Sequence, residues 1–326
     1  MHNNYYFLKR LCPELAENIT GYTISQCFSQ NKNELIIILS KGKKTFTIKA
    51  YLHSTFCCLS FPTSFQRSRK NNIDLFSPII NKTIVSVEQY KNERAFCFWL
   101  SDQSQLIFKM HGNRSNILWS VNDEVHQIFN NLLVKDLNII PSQQHRPIDQ
   151  SKGAFLATSA NLKKLFPTFG KEIAQHLTSK GFDNANDSHQ WDIIQDTVNE
   201  LQTNDFYYSS LKYSLFSFEN SFTNSSPIQA VTDFFVSYIS QNQLSLEKGR
   251  VANILEKKIS STRAYITKAS KKLQEIESRA SYQVMADVIM ANLHSIAKGM
   301  KEVTLSNFYD QQRPNSIKLI EHLSPQ

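Results

Sequence analysis

The residues in this sequence best equipped for chemistry are cations. The window 35–73 holds Lys41, Lys43, Lys44, Lys49, Arg67, Arg69 and Lys70 and no Asp or Glu. A one-sided run of this kind can neutralise a phosphate backbone while an exposed ring such as Phe65 stacks on a base. A solvated basic face accounts for the same composition equally well, because Arg67-Ser68-Arg69-Lys70 also has the make-up of a solubilising loop. Catalytic patterns are missing: there is no GxSxG, Walker loop, GxGxxG or HExxH, and no tight carboxylate cluster at the end of a strand. His111 beside Gly112 and His53 beside Ser54 could serve as bases, but with nine histidines in the chain their placement is better read as chance. No enzyme, metal or cofactor is expected.

A second candidate is the run Phe166-Pro167-Thr168-Phe169-Gly170-Lys171 between two helical stretches. It has the composition of a helix-hairpin-helix turn, whose backbone N–H groups at the start of the following helix bind phosphate, with Lys171 beside them. An ordinary helix connection fits the same residues.

Elements that could position these groups follow from periodicity. Leu8, Leu11, Leu15 and Ile19 recur at helical spacing, with Gly21 as a stop. β-rich runs at 34–40, 44–50, 83–89, 95–100, 105–110 and 115–119 predict an antiparallel sheet or sandwich, with a short helix at 73–80. The expected class is α+β, with a first domain over 1–145. The stretch 141–151, with its two prolines, reads as a linker. Apolar spacing then predicts helices near 154–166, 171–180 and 192–204 in a helical domain over 152–227, with 206–226 as extended structure or loop.

From 228 onward the pattern changes again. Leu255, Thr262, Ala269 and Ile276 fall seven apart, as do Ile259, Ile266, Leu273 and Ala280, among mainly basic flanks. One long coiled-coil helix over 228–299 is expected, followed by two short strands at 303–309 and 316–320 within a β-rich segment over 300–326. An apolar stripe of this length needs a partner helix. The expectation is a chain cut short before a returning helix; dimerisation through the unpaired arm is the alternative.

Composition narrows the class further. The chain has 326 residues, 41 % hydrophobic, with 22 Phe, too much apolar material for a mainly disordered polypeptide. It has no run of the length a membrane span needs and no secretory signal, so a soluble cytoplasmic protein is expected. Five cysteines without CxxC spacing read as reduced, buried thiols. A net charge of +8 favours a polyanionic partner.

Three local matches show that the chain resembles the N-terminal part of the NFACT family. Tyr6-Phe7-Leu8 and 11–15 are similar to the family's first helix. Met110-His111-Gly112-Asn113-Arg114-Ser115-Asn116-Ile117 is similar to its Gly-x-x-Ser-Asn-Ile segment. Ala291-Asn292-Leu293-His294-Ser295-Ile296, Lys298-Gly299-Met300, Val303-Thr304-Leu305 and Phe308-Tyr309 resemble the junction that ends its first coiled-coil helix, and Ser324-Pro325-Gln326 the stretch before the returning helix.

The resemblance implies a first domain with the fold of the formamidopyrimidine-DNA glycosylase N-terminal domain, then a helix-hairpin-helix domain and a coiled coil. It also implies a factor of ribosome-associated quality control. Such a factor binds the large ribosomal subunit carrying a stalled peptidyl-tRNA and recruits tRNA for C-terminal tailing of the nascent chain, the ribosome supplying the chemistry. The family's tRNA-binding Asp-Arg pair is matched by Glu93-Arg94, and an expected Asp by Asn4. With Arg114, Ser115 and Asn116 these complete the set of candidate nucleic-acid contacts. Glycosylase chemistry is not expected, because in the resembling enzymes it uses an N-terminal Pro followed by Glu, where this sequence reads Met1-His2-Asn3. The alternatives are an inactive glycosylase-like protein that binds duplex DNA, and a fibronectin-binding surface protein.

Overall fold

The structure, a computed structural model, describes residues 3–157 and 161–320; the side chains of 242–247, 250 and 278–281 lie outside the description. The chain divides into two compact units, 1–243 and 244–326.

The first unit opens with helix α1 (Tyr5–Ile19), capped by Asn4, whose side-chain oxygen accepts the Tyr6 N–H at 2.8 Å. The apolar stripe read from the sequence is its buried face, and Gly21 follows the C-cap Thr20 with φ +79°, a conformation glycine adopts without strain.

Two antiparallel five-stranded sheets come next. The first, in order β4-β3-β2-β1-β5, uses β1 (Thr23–Ser29), β2 (Glu34–Lys41), β3 (Lys44–His53), β4 (Phe56–Ser60) and β5 (Ile73–Asp74). The second, in order β10-β9-β8-β7-β6, uses β6 (Ile84–Gln89), β7 (Ala95–Leu100), β8 (Gln105–Lys109), β9 (Asn116–Val121) and β10 (Glu124–Ile128). Alternation along β7 divides the two faces of the second sheet. Phe96, Phe98 and Leu100 join the main core with α1, while Ala95 and Cys97 face a smaller cluster with Tyr90, Ile107, Leu118 and Val125. The phenyl rings of Phe96 and Phe108 stack at 4.7 Å across β7 and β8.

The helix expected at 73–80 is replaced by β5 and a single 3-10 turn, Ser77–Ile79. Pro78 near its start and Phe76 at φ +51° limit it to one turn. Strands β1, β4 and β10 were not expected. All five residues of β4 are buried, so it lacks the alternation by which a half-exposed strand is recognised.

Helices α2 (Lys152–Ala157), α3 (Leu162–Leu165), α4 (Lys171–Ser179) and α5 (Asp187–Thr203) occupy the predicted helical region, although 158–160 of the expected 154–166 helix fall outside the described residues. The stretch read as extended or loop forms a small sheet, β12-β11-β13, from β11 (Phe206–Tyr208), β12 (Tyr213–Ser214) and β13 (Phe222–Asn224). Phe7 of α1 meets Phe206 and Tyr213 edge to face at 5.7 and 5.3 Å, joining this sheet to the main core. The long helix α6 (Pro227–Ala291) begins here, burying Ala230, Val231, Phe234 and Phe235.

In the second unit α6 presents Leu255, Ile259, Ile266, Leu273 and Ile276 to solvent, each more than half exposed. The expected seam therefore lies uncovered in the single chain; the side chain of Ala280 is outside the description. The helix ends at Ala291, short of the expected 299, because the Asn292 side chain turns back to donate to the Val288 carbonyl at 2.9 Å. A 3-10 turn, Leu293–Ser295, and Gly299 at φ +91° lead into the hairpin β14 (Glu302–Asn307) and β15 (Arg313–Lys318). Val303, Leu305 and Ile317 of the hairpin close a small core on Val288. The expectations on 321–326 lie outside the described residues.

All five cysteines are buried thiols; burial pushes Cys57 up to about 11 and Cys97 up to about 12, away from the reactive thiolate. Among the described residues, no helix is long and apolar enough to cross a membrane.

Candidate nucleic-acid interface

A cleft of about 630 Å³ in the first unit gathers five of the ten candidate residues. Its walls are Asn3 and Asn4 ahead of α1, Asn92-Glu93-Arg94 in the β6–β7 turn, His111 and Arg114 between β8 and β9, Arg146 from the presumed linker, and 167–172 at the start of α4. The segment around 141–151 is pinned rather than hanging. The Arg146 N–H donates to the Lys91 carbonyl, the Asn92 side chain to the Arg146 carbonyl and the Gln150 side chain to the Leu165 carbonyl.

Glu93 is the hub. It is only 6 % exposed, accepts the Arg94 backbone N–H at 2.8 Å and holds the Arg146 guanidinium at 2.8 Å. His111 Nε2 lies 2.7 Å from Glu93 Oε1, at ion-pair distance but outside hydrogen-bond geometry. Burial alone would raise this carboxyl group. The contacts with His111, the Arg94 N–H and the Arg146 charge outweigh it and hold Glu93 below the ordinary carboxylate value.

Glu93 is thus engaged by Arg146, His111 and the Arg94 backbone N–H, and not by the Arg94 side chain. Arg94 is exposed, and among the described residues no ion pair or hydrogen bond engages its guanidinium.

A group whose folded pKa is depressed stabilises the fold above its unfolded pKa and loses that contribution as pH falls through the folded value. Acidification from about pH 5 to about pH 3 should accordingly cost the native chain more stability than it costs Glu93→Gln, with the two denaturant midpoints converging in acid. Parallel curves would separate Glu93 from acid sensitivity.

Arg114 is exposed, as is Lys171, which opens α4 behind the N-cap Gly170. Among the described residues no side chain caps this helix start, and a Cβ at Gly170 would meet nothing within 4 Å, so the N-cap position is uncrowded. Glu172 beside them is occupied by the Ser214 hydroxyl at 2.6 Å and Lys212 at 3.4 Å. Phe169 packs on Tyr6 at 5.8 Å, which fixes the 166–170 hairpin against α1. The cleft thus presents four cationic side chains and a helix start, while both of its carboxylates already have partners.

The other candidates lie elsewhere. Ser115 and Asn116 are buried, and in place of an outward contact Asn116 serves the fold. Its amide donates to Asp136 Oδ2 at 2.9 Å and its oxygen accepts the Asn130 and Ile117 N–H groups. Asp136 also pairs with Lys109. Asn4 lines the cleft, but its side-chain oxygen is committed to the α1 cap.

Arg67, Arg69 and Lys70 are outside the cleft. Arg67 is drawn onto the first sheet by Asn72, Gln26 and Asp74 and lies 4.3 Å over the Phe28 ring, against which Phe65 also packs. Arg69 and Lys70 are exposed. Arg146 escaped the sequence reading because one Arg between His145 and Pro147 carries no pattern, and His111, read there as a chance placement, gains its role because only the fold brings it to Glu93.

Among curated proteins, none matches the chain. Among solved structures, a fibrinogen binding protein from Staphylococcus aureus superposes with a TM-score of 0.57 at 13 % identity, covering 72 % of this chain and 99 % of that one. The N-terminal part of a fibronectin/fibrinogen-binding protein from Streptococcus suis gives 0.54 at 16 % identity, covering 73 % and 99 %. At these identities the likeness is one of fold. The family model for the NFACT N-terminal and middle domains matches residues 143–326, more than half of the sequence, and the chain therefore belongs to the NFACT family.

Proposed function

We propose that the chain binds tRNA through the Arg94 cleft, as a factor of ribosome-associated quality control that engages the large ribosomal subunit carrying a stalled peptidyl-tRNA and supports C-terminal tailing of the nascent chain. The observation that carries the proposal is the exposed, unpaired Arg94 guanidinium beside Arg114, Lys171 and an uncapped helix start. An unpaired arginine is available for bidentate phosphate contact, and amides at a helix start add neutral donors. The 166–171 turn then acts as the helix-hairpin-helix element, and the β-rich region as a glycosylase-like scaffold.

The second unit supplies a further basic surface, since Lys257, Lys258, Arg263, Lys268, Lys271 and Lys272 are all exposed along α6 with no acidic residue between them. Ribosomal RNA or protein is its partner in this proposal, and the work takes place in the cytoplasm.

The two similar structures are of proteins named for binding fibrinogen and fibronectin, which favours a second reading, in which the chain binds fibronectin or fibrinogen. A competition titration of the chain against bulk tRNA, a duplex DNA of similar length and soluble fibronectin separates the readings. The proposal expects tRNA to be preferred, with affinity falling as salt rises. Equal affinity for duplex DNA, or salt-insensitive capture of fibronectin alone, would replace it.

A further inference from the structure

A second cleft, of about 530 Å³, shares the 90–94 turn region and the 145–146 segment with the basic one, yet draws on different side chains: Glu88, Tyr90, Trp99, Asp123 and His145. In a chain of net charge +8, no lysine or arginine among the described residues lines it. Its aromatic wall is fixed by polar contacts. The Trp99 indole N–H donates to Glu88 Oε2 at 2.9 Å, the Tyr90 hydroxyl donates to Gln105 Oε1 at 2.9 Å, and the Tyr90 and His145 rings meet edge to face at 5.1 Å.

His145 Nδ1 accepts the Lys91 N–H at 3.2 Å, which leaves the ring proton on Nε2, 3.6 Å from Glu88 Oε1. Asp123 sits at φ +67° and accepts the Ser142 N–H at 2.7 Å and hydroxyl at 2.5 Å. Both carboxylates are thus oriented by neutral donors, and among the described residues neither is neutralised by a lysine or arginine.

Carboxylates beside tryptophan, tyrosine and imidazole faces form the environment that organic cations prefer, through charge and cation–π attraction together. A metal ion is disfavoured, because among the described residues no three His, Cys, Asp or Glu side chains converge closely enough to hold one. The cleft is of the size that accepts a drug-sized ligand, larger than a lone ammonium group, and an extended peptide bringing one long cationic side chain with its backbone fills it. We propose that it seats an arginine or lysine side chain of a basic protein segment. The inference stands apart from the tRNA reading, since none of these side chains belongs to the Arg94 cleft.

The test is a titration of the whole chain, labelled with nitrogen-15 at tryptophan, with the peptide acetyl-Gly-Arg-Gly-Arg-Gly-amide. The same peptide with citrulline in place of arginine, and spermidine, serve as controls. The Trp99 indole signal should move saturably with the arginine peptide and not with citrulline, while Trp119 and Trp191 stay still. Glu88→Gln with Asp123→Asn, which keep the hydrogen-bond acceptors, should weaken the response roughly tenfold with the thermal midpoint retained. Should the double variant not fold, Asp123→Asn alone provides the comparison. An equal response to citrulline, an unchanged affinity in the variant, movement confined to Trp119 or Trp191, or saturation by spermidine but not by the peptide would each overturn the proposal.

Discussion

Arg94→Ala is expected to lower the affinity for tRNA about tenfold at moderate salt and to reduce the slope of log affinity against log salt by about one, with no change in thermal midpoint. The physical basis is the state of the side chain before binding. Arg94 is exposed and has no ion pair to break, so removing it costs the fold nothing and the complex one phosphate contact. Combining it with Arg114→Ala should bring the loss to about a hundredfold, since both line the same cleft and neither guanidinium has a partner among the described residues. Glu93→Ala makes the contrast: it leaves Arg146 and His111 without their carboxylate and should lower stability as well as affinity. Filter binding or anisotropy at two salt concentrations, with melting curves of each variant, checks the set. An unchanged salt slope in Arg94→Ala would remove this residue from the interface.

The largest stability effect is expected at Asp136, a buried carboxylate between Lys109 and Asn116. Asp136→Ala leaves the nearly buried Lys109 ammonium unpaired and the Asn116 amide without its acceptor, a loss on the order of 3–5 kcal/mol. Asn116→Ala should cost less, roughly 1–3 kcal/mol, by releasing the Asn130 and Ile117 N–H groups it holds. Both variants should keep the tRNA affinity of the fraction that remains folded, because the network faces inward. Denaturant unfolding combined with a binding assay on folded protein distinguishes this role from a direct contact. A loss of affinity in Asn116→Ala with unchanged stability would restore the outward role first expected of that residue.

Charge and periodicity were legible for different reasons in different parts of the chain. The α1 stripe, β7 and the start of β8 were readable because one face of each meets the core and the other a distinct environment, which leaves a period of 3.6 or 2 in the residue types. Strand β4 was hidden because Phe56, Cys57, Cys58, Leu59 and Ser60 are all buried, which removes the alternation. The one-sided charge of 35–73 was visible, but composition cannot show direction: Arg67 turned onto Phe28 and Asp74, while Arg69 and Lys70 remained in solvent.

By itself the sequence determined the α+β class, the first helix and its stop at Gly21, the long apolar-striped helix and the two strands after it. These depend on local spacing and on backbone preferences within a few residues. Tertiary structure alone decided which charges share a site. Glu93, His111 and Arg146 are far apart along the chain yet meet within one cleft, and that meeting is what leaves Arg94 unpaired. Their pairing energies depend on distance and burial in the folded chain, and neither quantity exists until the sheets, the hairpin at 166–170 and the segment around 146 have packed together.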